Sequence, residues 1–399
     1  MEPQIVTVML SPGDRAQRLD ALGKALAVKR KEAIEYKRST GIEKEWDEDE
    51  DAYNGVDAWS KQQSDAFNSR PPGQEMVLPE GDEPRSTVVL AITKPYVNAF
   101  ASKIIDMRLQ INDRAWAFNP TPKPELERME KSRLMVIGPE SQPVPAAAMA
   151  KAIMAAARIS ADLAQKQVDD WLVQSHWDTE ARQVVDDQAR IGTGVMKGPL
   201  PEKRVYTQYK NGELIRIEKT EPQSKRISAR NIFPDPACGD DIHSGDYIWE
   251  RDYVTRKRLR DAKKIQGYLP DQIDAVLQEG PLFPDEEYDP AKPEDPKQKS
   301  RPFQVWHFTG YLEKEEMEAA GCVCETDVVP AIVTMVNGHV IKVALNPLDN
   351  GKFPYDVVVC SRREGYWFGT GIGRDLRTAQ RIATGGTRSM MENAGLSAK

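Results

Sequence analysis

Between residues 364 and 394 the chain reads EGYWFGTGIGRDLRTAQRIATGGTRSMMENA, and its most suggestive side-chain chemistry lies there. Gly369, Gly371 and Gly373 alternate behind the aromatic triplet Tyr366, Trp367, Phe368 and open a helix-like run. A glycine-rich strand-to-helix turn can cradle a phosphate, because the free N–H groups of a helix start attract anions. The function this would suggest is a nucleotide-dependent enzyme using the 369–373 loop. The spacing argues otherwise. A dinucleotide fingerprint needs its third glycine three positions after the second, and a phosphate loop needs Gly-Lys-Ser/Thr where this chain has Gly-Arg-Asp. The expectation is a corner in which Gly369, Gly371 and Gly373 allow close backbone packing. Beyond it, Arg374, Arg377, Arg381 and Arg388 follow one helical line, a candidate channel-facing or subunit-facing surface. Leu376, Ala379, Ala383, Met390 and Ala394 supply an apolar stripe at helical spacing.

Other groupings are weaker. Cys322 and Cys324, with Cys360, His307 and His339 nearby, could ligate zinc, but paired CxxC knuckles are missing. Asp235, Asp240, Asp241 and Asp246 could surround a cation, yet the alternating ligands and central glycine of a calcium loop are absent. No GxSxG elbow occurs, and His176, His243, His307 and His339 are scattered. The expectation is no catalytic residue, no metal and no cofactor. Arg256, Lys257, Arg258, Arg260, Lys263 and Lys264 surround one short helix without aromatic residues to stack bases, which suits a solvated or subunit-facing element.

Composition narrows the class further. The 399 residues carry a net charge of -7, which argues against a general nucleic-acid coat but permits a protein that surrounds DNA without gripping it. No apolar run reaches the roughly 18 residues needed to span a bilayer. Four cysteines without disulfide-like spacing suit a reducing compartment.

The elements that must position the stretch are expected to be α+β rather than alternating βαβ. A helix over 14–38 has a weak face of Leu19, Leu22, Leu26, Ala33 and Ile34, and a basic one of Lys29, Arg30, Lys31, Lys37 and Arg38. The acidic block 43–51 reads as a solvated loop, or more sharply as an arm that docks on a neighbour. Val97, Phe100, Ile104, Met107 and Ile111 predict a buried helical stripe starting near Thr93. An Ala-rich helix over 146–174 presents Ile153, Ala156, Ile159, Leu163, Val168, Trp171 and Leu172 as its core side. Asn211-Gly212 and Asn337-Gly338 mark two hairpins. The expected divisions are an N-terminal arm and linker (1–83), a helical region (84–200), a β-hairpin unit with basic helices (201–280), a linker (281–302), a second β unit (303–363) and the corner with its helix (364–399).

Several segments in this order resemble the portal proteins of tailed bacteriophages, in particular those of short-tailed phages. They are KRKEAIEYKR with WDEDEDAYNG, MRLQINDRAWAFNPTP, RIGTGVMKGP, ISARNIFPDPACGDDIHSGDYIWERDYVT and GTGIGRDLRTAQ. The resemblance implies mixed helical and antiparallel β-hairpin units of a portal wing leading into a stem helix. It implies a structural homo-oligomer, a ring usually of twelve subunits at one capsid vertex, with no catalytic site of its own; another head–tail joining structural protein is the alternative within the same class. The implied partners are the major capsid protein, the terminase motor, tail and neck adaptor proteins, and double-stranded DNA passing without sequence-specific binding, with no membrane. The location implied is the virion, after assembly in the host cytoplasm. Family members continue past this helix, so the chain is expected to lack the C-terminal part.

Overall fold

The computed structural model describes residues 12–56, 88–109, 117–121, 123–132, 135–137, 143–210, 213–265, 267–282, 302–314, 316, 327–346 and 352–397. Ile111, the turn Asn211-Gly212, the pair Cys322 and Cys324, residues 57–83 of the N-terminal arm and linker, and nearly all of the linker proposed at 281–302 lie outside them. The fold is α+β. Its elements are α1 (Pro12–Ser39), α2 (Ile42–Asn54), α3 (Thr93–Arg108), α4 (Pro124–Glu130), β1 (Met135–Ile137), β2 (Pro143–Pro145), α5 (Ala146–Gln174), α6 (Trp177–Ile191), β3 (Thr193–Lys210) and β4 (Glu213–Ile227). They continue with β5 (Ile232–Pro234), β6 (Tyr247–Val254), α7 (Arg256–Ala262), α8 (Pro270–Glu279), β7 (Phe303–Glu313), β8 (Val328–Val336), β9 (His339–Leu345), β10 (Tyr355–Val359) and α9 (Ile372–Ser397). Two units are formed, one from residues 1–98, 186–195 and 227–399, the other from 99–185 and 196–226.

The first unit is built on an antiparallel sheet of order β5–β6–β7–β8–β9. Side chains alternate across a strand, so β7 serves two cores. Its Trp306, Phe308 and Leu312 join Tyr247 and Trp249 of β6 and Leu22, Leu26, Ala33 and Ile34 of α1. Phe303 and Val305 instead meet Leu259 of α7 and Ile273, Val276 and Leu277 of α8. Ile248, pointing away from Trp249, enters a third cluster with Ile42, Trp46, Ile191, Val195, Tyr355, Trp367 and Phe368. Burying each large apolar side chain stabilises by about 1.5–3 kcal/mol, so these clusters carry the fold. The turn between β8 and β9 has Asn337 at φ 53 and Gly338 at φ 90, the left-handed pair that a tight hairpin requires.

Helix α1 departs from its expected faces. Its buried stripe runs Leu22, Leu26, Arg30, Ala33, Lys37, so two residues assigned to the basic solvent side point inward. The Arg30 guanidinium lies 5.1 Å from the Trp306 ring. Lys37 is 2% exposed, and its Nζ donates to the carbonyls of Ala229 (2.8 Å), Arg230 (2.9 Å) and Ile232 (2.9 Å). Phe233 and Trp46 face the same ammonium at 4.2 and 5.1 Å, with Glu43 at 3.7 Å. Burial lowers the Lys37 pKa to about 7, a pull that the Glu43 carboxylate opposes. The ammonium supplies the three donors that the β5 approach needs, which a 28-residue helix can deliver only from its inner face.

The second unit is much less self-covered. The long helix α5 buries only Ala146 and Ala150. Its expected core side is open: Ile159 and Leu163 are each 62% exposed, and Ile153 and Trp171 each 39%. The ribbon β3–β4 likewise leaves Tyr209 73% and Leu214 71% exposed. In α3, Val97 and Ala101 are buried but Met107 is 65% exposed, so its stripe is covered only near the start.

Replacing Lys37 with Met should strand the Ala229, Arg230 and Ile232 carbonyls and lower unfolding free energy by about 3 kcal/mol or more. Urea denaturation checks this; a loss below about 1 kcal/mol would show that the carbonyls find other donors.

Candidate functional site

Two glycine turns meet at the corner, backbone against backbone. Gly192 ends α6 at φ 84, a conformation that disfavours any side chain. A Cβ there would sit 2.3 Å from both Gly371 N and Thr370 C. The converse holds across the contact, where a Cβ on Gly369 would lie 2.8 Å from Gly192 O and one on Gly371 would lie 2.6 Å from Arg190 O. Gly373 is less tight, at 3.1 Å from Arg190 O. Hydrogen bonds close the arrangement: Gly369 N–H donates to Thr193 Oγ1 (3.0 Å), and Cys360 N–H donates to Gly192 O (2.9 Å). Ser361 and Thr370 exchange backbone bonds at 3.2 and 2.9 Å. Beneath them Trp367 and Phe368 are 3% and 1% exposed, with Trp46 edge-on to Phe368 at 6.2 Å.

This geometry leaves the glycines no room for a phosphate. The space in front of them is filled by the Arg190–Gly192 backbone, whose Arg190 carbonyl oxygen faces the start of α9. Carboxylates of α2 come next: Asp49 Cβ is 3.5 Å from where a Gly373 side chain would begin. Negative groups suit the positive end of a helix dipole, and they repel a second anion.

The acidic block 43–51 is therefore neither a loop nor an arm reaching outward. It is most of α2, and its carboxylates pair with arginines of the same chain. Glu45 accepts from Arg374 and from Arg363 (3.1 Å). Arg377 donates to Glu48 (2.6 Å) and lies 3.5 Å from Asp49. Asp49 is 3% exposed, and burial raises its pKa to about 7 although Arg377 and Arg374 pull it down. Arg388 Nε donates to the Val88 carbonyl (2.9 Å), and Arg381 is exposed.

The buried stripe of α9 is polar, contrary to the apolar one expected. Gln380 and Thr384 are 5% and 4% exposed, whereas Ile382 and Met390 are 72% and 70% exposed. The reason is what α9 faces. Gln380 Oε1 accepts from Thr93 N (2.8 Å), and its Nε2 donates to Ala52 O (2.8 Å). Thr384 Oγ1 accepts from Leu90 N (3.3 Å). These backbone groups belong to the end of α2 and to the segment 88–93, which have no sheet to satisfy them, so the helix must offer polar side chains. Gln380 and Thr384 were detectable only through their spacing: Gly373, Arg377, Gln380, Thr384 and Arg388 step by 4, 3, 4 and 4.

The remaining candidates serve the local chain. Asp235 accepts from Ala237 N and Asp246 N, each at 2.9 Å, and Asp241 accepts from His243 N at 3.0 Å. Asp240 accepts from Arg362 and from Gly365 N (2.6 Å). In the basic helix α7, Thr255 caps the N-terminus, Arg256 donates to Leu277 O (2.7 Å), and Lys263 pairs with Asp274. Among the described residues no helix is long and apolar enough to cross a membrane, and no cluster of metal-ligating side chains forms.

Gly192→Ala should cost about 3 kcal/mol or more, since left-handed strain and a backbone clash coincide, and a thermal melt checks it. Asp49 makes a pH prediction with a definite sign. Its folded pKa, about 7, exceeds the ordinary carboxylate value of 3.8, so its protonated form favours folding at low pH. That contribution is complete below the unfolded value and lost as pH rises through the folded one. Asp49→Asn should flatten the fall in stability between about pH 4 and about pH 7, read as urea midpoints. Identical slopes for the two proteins would contradict the assignment.

Compared with known proteins, residues 150–399, which include the whole corner and α9, match the family model described as Phage SU10 portal protein. No individual curated protein matches the sequence.

Proposed function

The chain belongs to the phage portal proteins, a structural family of the virion capsid, and from that premise we propose that it is a subunit of the ring through which double-stranded DNA enters and leaves the capsid. The ring, of twelve copies in the usual arrangement, sits at one vertex, where the terminase motor and then the tail and neck proteins dock on it. In this reading the corner is a joint of fixed direction, from which α9 leads towards the channel. The observation that carries the reading is the family match over 150–399, which contains that joint.

Two physical features support it. The second unit exposes Ile159, Leu163, Val173, Tyr209 and Leu214, a quantity of large apolar surface that marks a face made for another protein. The net charge of -7 suits a conduit, because every added phosphate contact would slow a sliding polyanion. Of the arginine line, Arg381 has the exposure needed to face the channel or the neighbouring subunit, whereas Arg374 and Arg377 are engaged by α2 and aim the helix.

Light scattering of the intact gene product should give a particle of many subunit masses. Ile159→Glu with Leu163→Glu should shift it to smaller species that keep the helical circular-dichroism signal, because both side chains are exposed in the single chain. A wild-type protein that stays monomeric at micromolar concentration would sink the ring.

A further inference from the structure

The glycines of α9 divide into two kinds. Gly373 sits against the Arg190 carbonyl, as does Gly371 just before the helix, and Gly369 sits against the Ser361 and Gly192 carbonyls. Around Gly385 and Gly386, a Cβ would meet nothing within 4 Å, and neither residue has a positive φ. Among the described residues, nothing packs closely enough to require glycine there. Both nevertheless lie inside a helix, where glycine is the poorest former after proline.

Neighbouring residues weaken the same turn. Thr384 and Thr387 flank the pair, and β-branched residues lose rotamer freedom in a helix. Thr387 Oγ1 donates to the Ala383 carbonyl at 2.9 Å, the back-bonding to the fourth preceding residue that bends helices. The anchoring changes there too. N-terminal to the pair, α9 is held by Glu45, Glu48, Asp49, Ala52, Leu90 and Thr93. C-terminal to it, Arg388 donates to the Val88 carbonyl, while Met390 and Met391 are 70% and 50% exposed.

We infer that α9 is a two-part helix with a built-in bending point at Gly385–Gly386. The part before the pair is fixed to the corner. The part after it swings, and the Arg388–Val88 hydrogen bond is the latch that holds it in line. A sharp bend in a helix needs an identifiable cause, and a glycine pair is one. This device is independent of ring assembly, since it rests on contacts within one chain.

Hydrogen exchange measured by mass spectrometry on the full chain tests it. Amides of 386–391 should exchange at least about tenfold faster than those of 376–382. Gly385→Ala with Gly386→Ala fills open space, so the protein should fold, and exchange beyond residue 384 should slow by roughly tenfold or more. Arg388→Ala should speed exchange beyond the pair while leaving 376–382 unchanged. Unaltered exchange in the double variant would overturn the bending point. Unaltered exchange with lost assembly would overturn it too, and would assign the glycines to the close approach of a second copy. Acceleration of 376–382 by Arg388→Ala would overturn the latch.

Discussion

Everything at the corner depends on two backbones being allowed to touch. Gly192 and Gly371 approach so closely that a single methyl group on either would overlap main-chain atoms of the other turn. That contact joins the end of α6 to the start of α9 and brings the acidic face of α2 within reach of Arg374 and Arg377. Trp367 and Phe368 fill the core directly below, so the direction in which α9 departs is set by packing and not by the helix itself.

Charge is used differently on the two sides of this joint. Lys37 is enclosed by three carbonyls and aromatic rings, a full complement of partners that makes burying an ammonium tolerable. The α2–α9 seam is partly open to water and is made of ion pairs and of hydrogen bonds to backbone. Such contacts are individually weak and sensitive to salt. The first arrangement locks α1 to the sheet. The second holds the first part of α9 through several such contacts together, with Asp49, Gln380 and Thr384 buried in the seam, while leaving Ile382 and Met390 outward.

The two units differ in how completely the chain satisfies itself. In the first, aromatic and aliphatic side chains from both sheet faces are covered by α1, α7 and α8. In the second, α5 and the β3–β4 ribbon keep large apolar groups at the surface. A helix as bare as α5 gains little from burial within the chain, so this unit is held less by a core of its own than the first.

By itself, the sequence determined the α+β class, the alternation that makes β7 two-faced, the hairpin at Asn337-Gly338 and the failure of the 369–373 glycines as a phosphate loop. These are legible because turn conformation and side-chain alternation are local properties of the chain. Only the tertiary structure decided which face of each helix is inside. Lys37 and Gln380 look solvent-facing from composition, and Ile159 and Met390 look buried, because polarity reports the cost of burial without reporting the partner that offsets it. Those partners are the carbonyls of 229–232, the amides of Leu90 and Thr93, and the carboxylates of 45–49. Each is distant along the chain, and for α9 the fold brings them into place because a glycine at position 192 lets two turns close on one another.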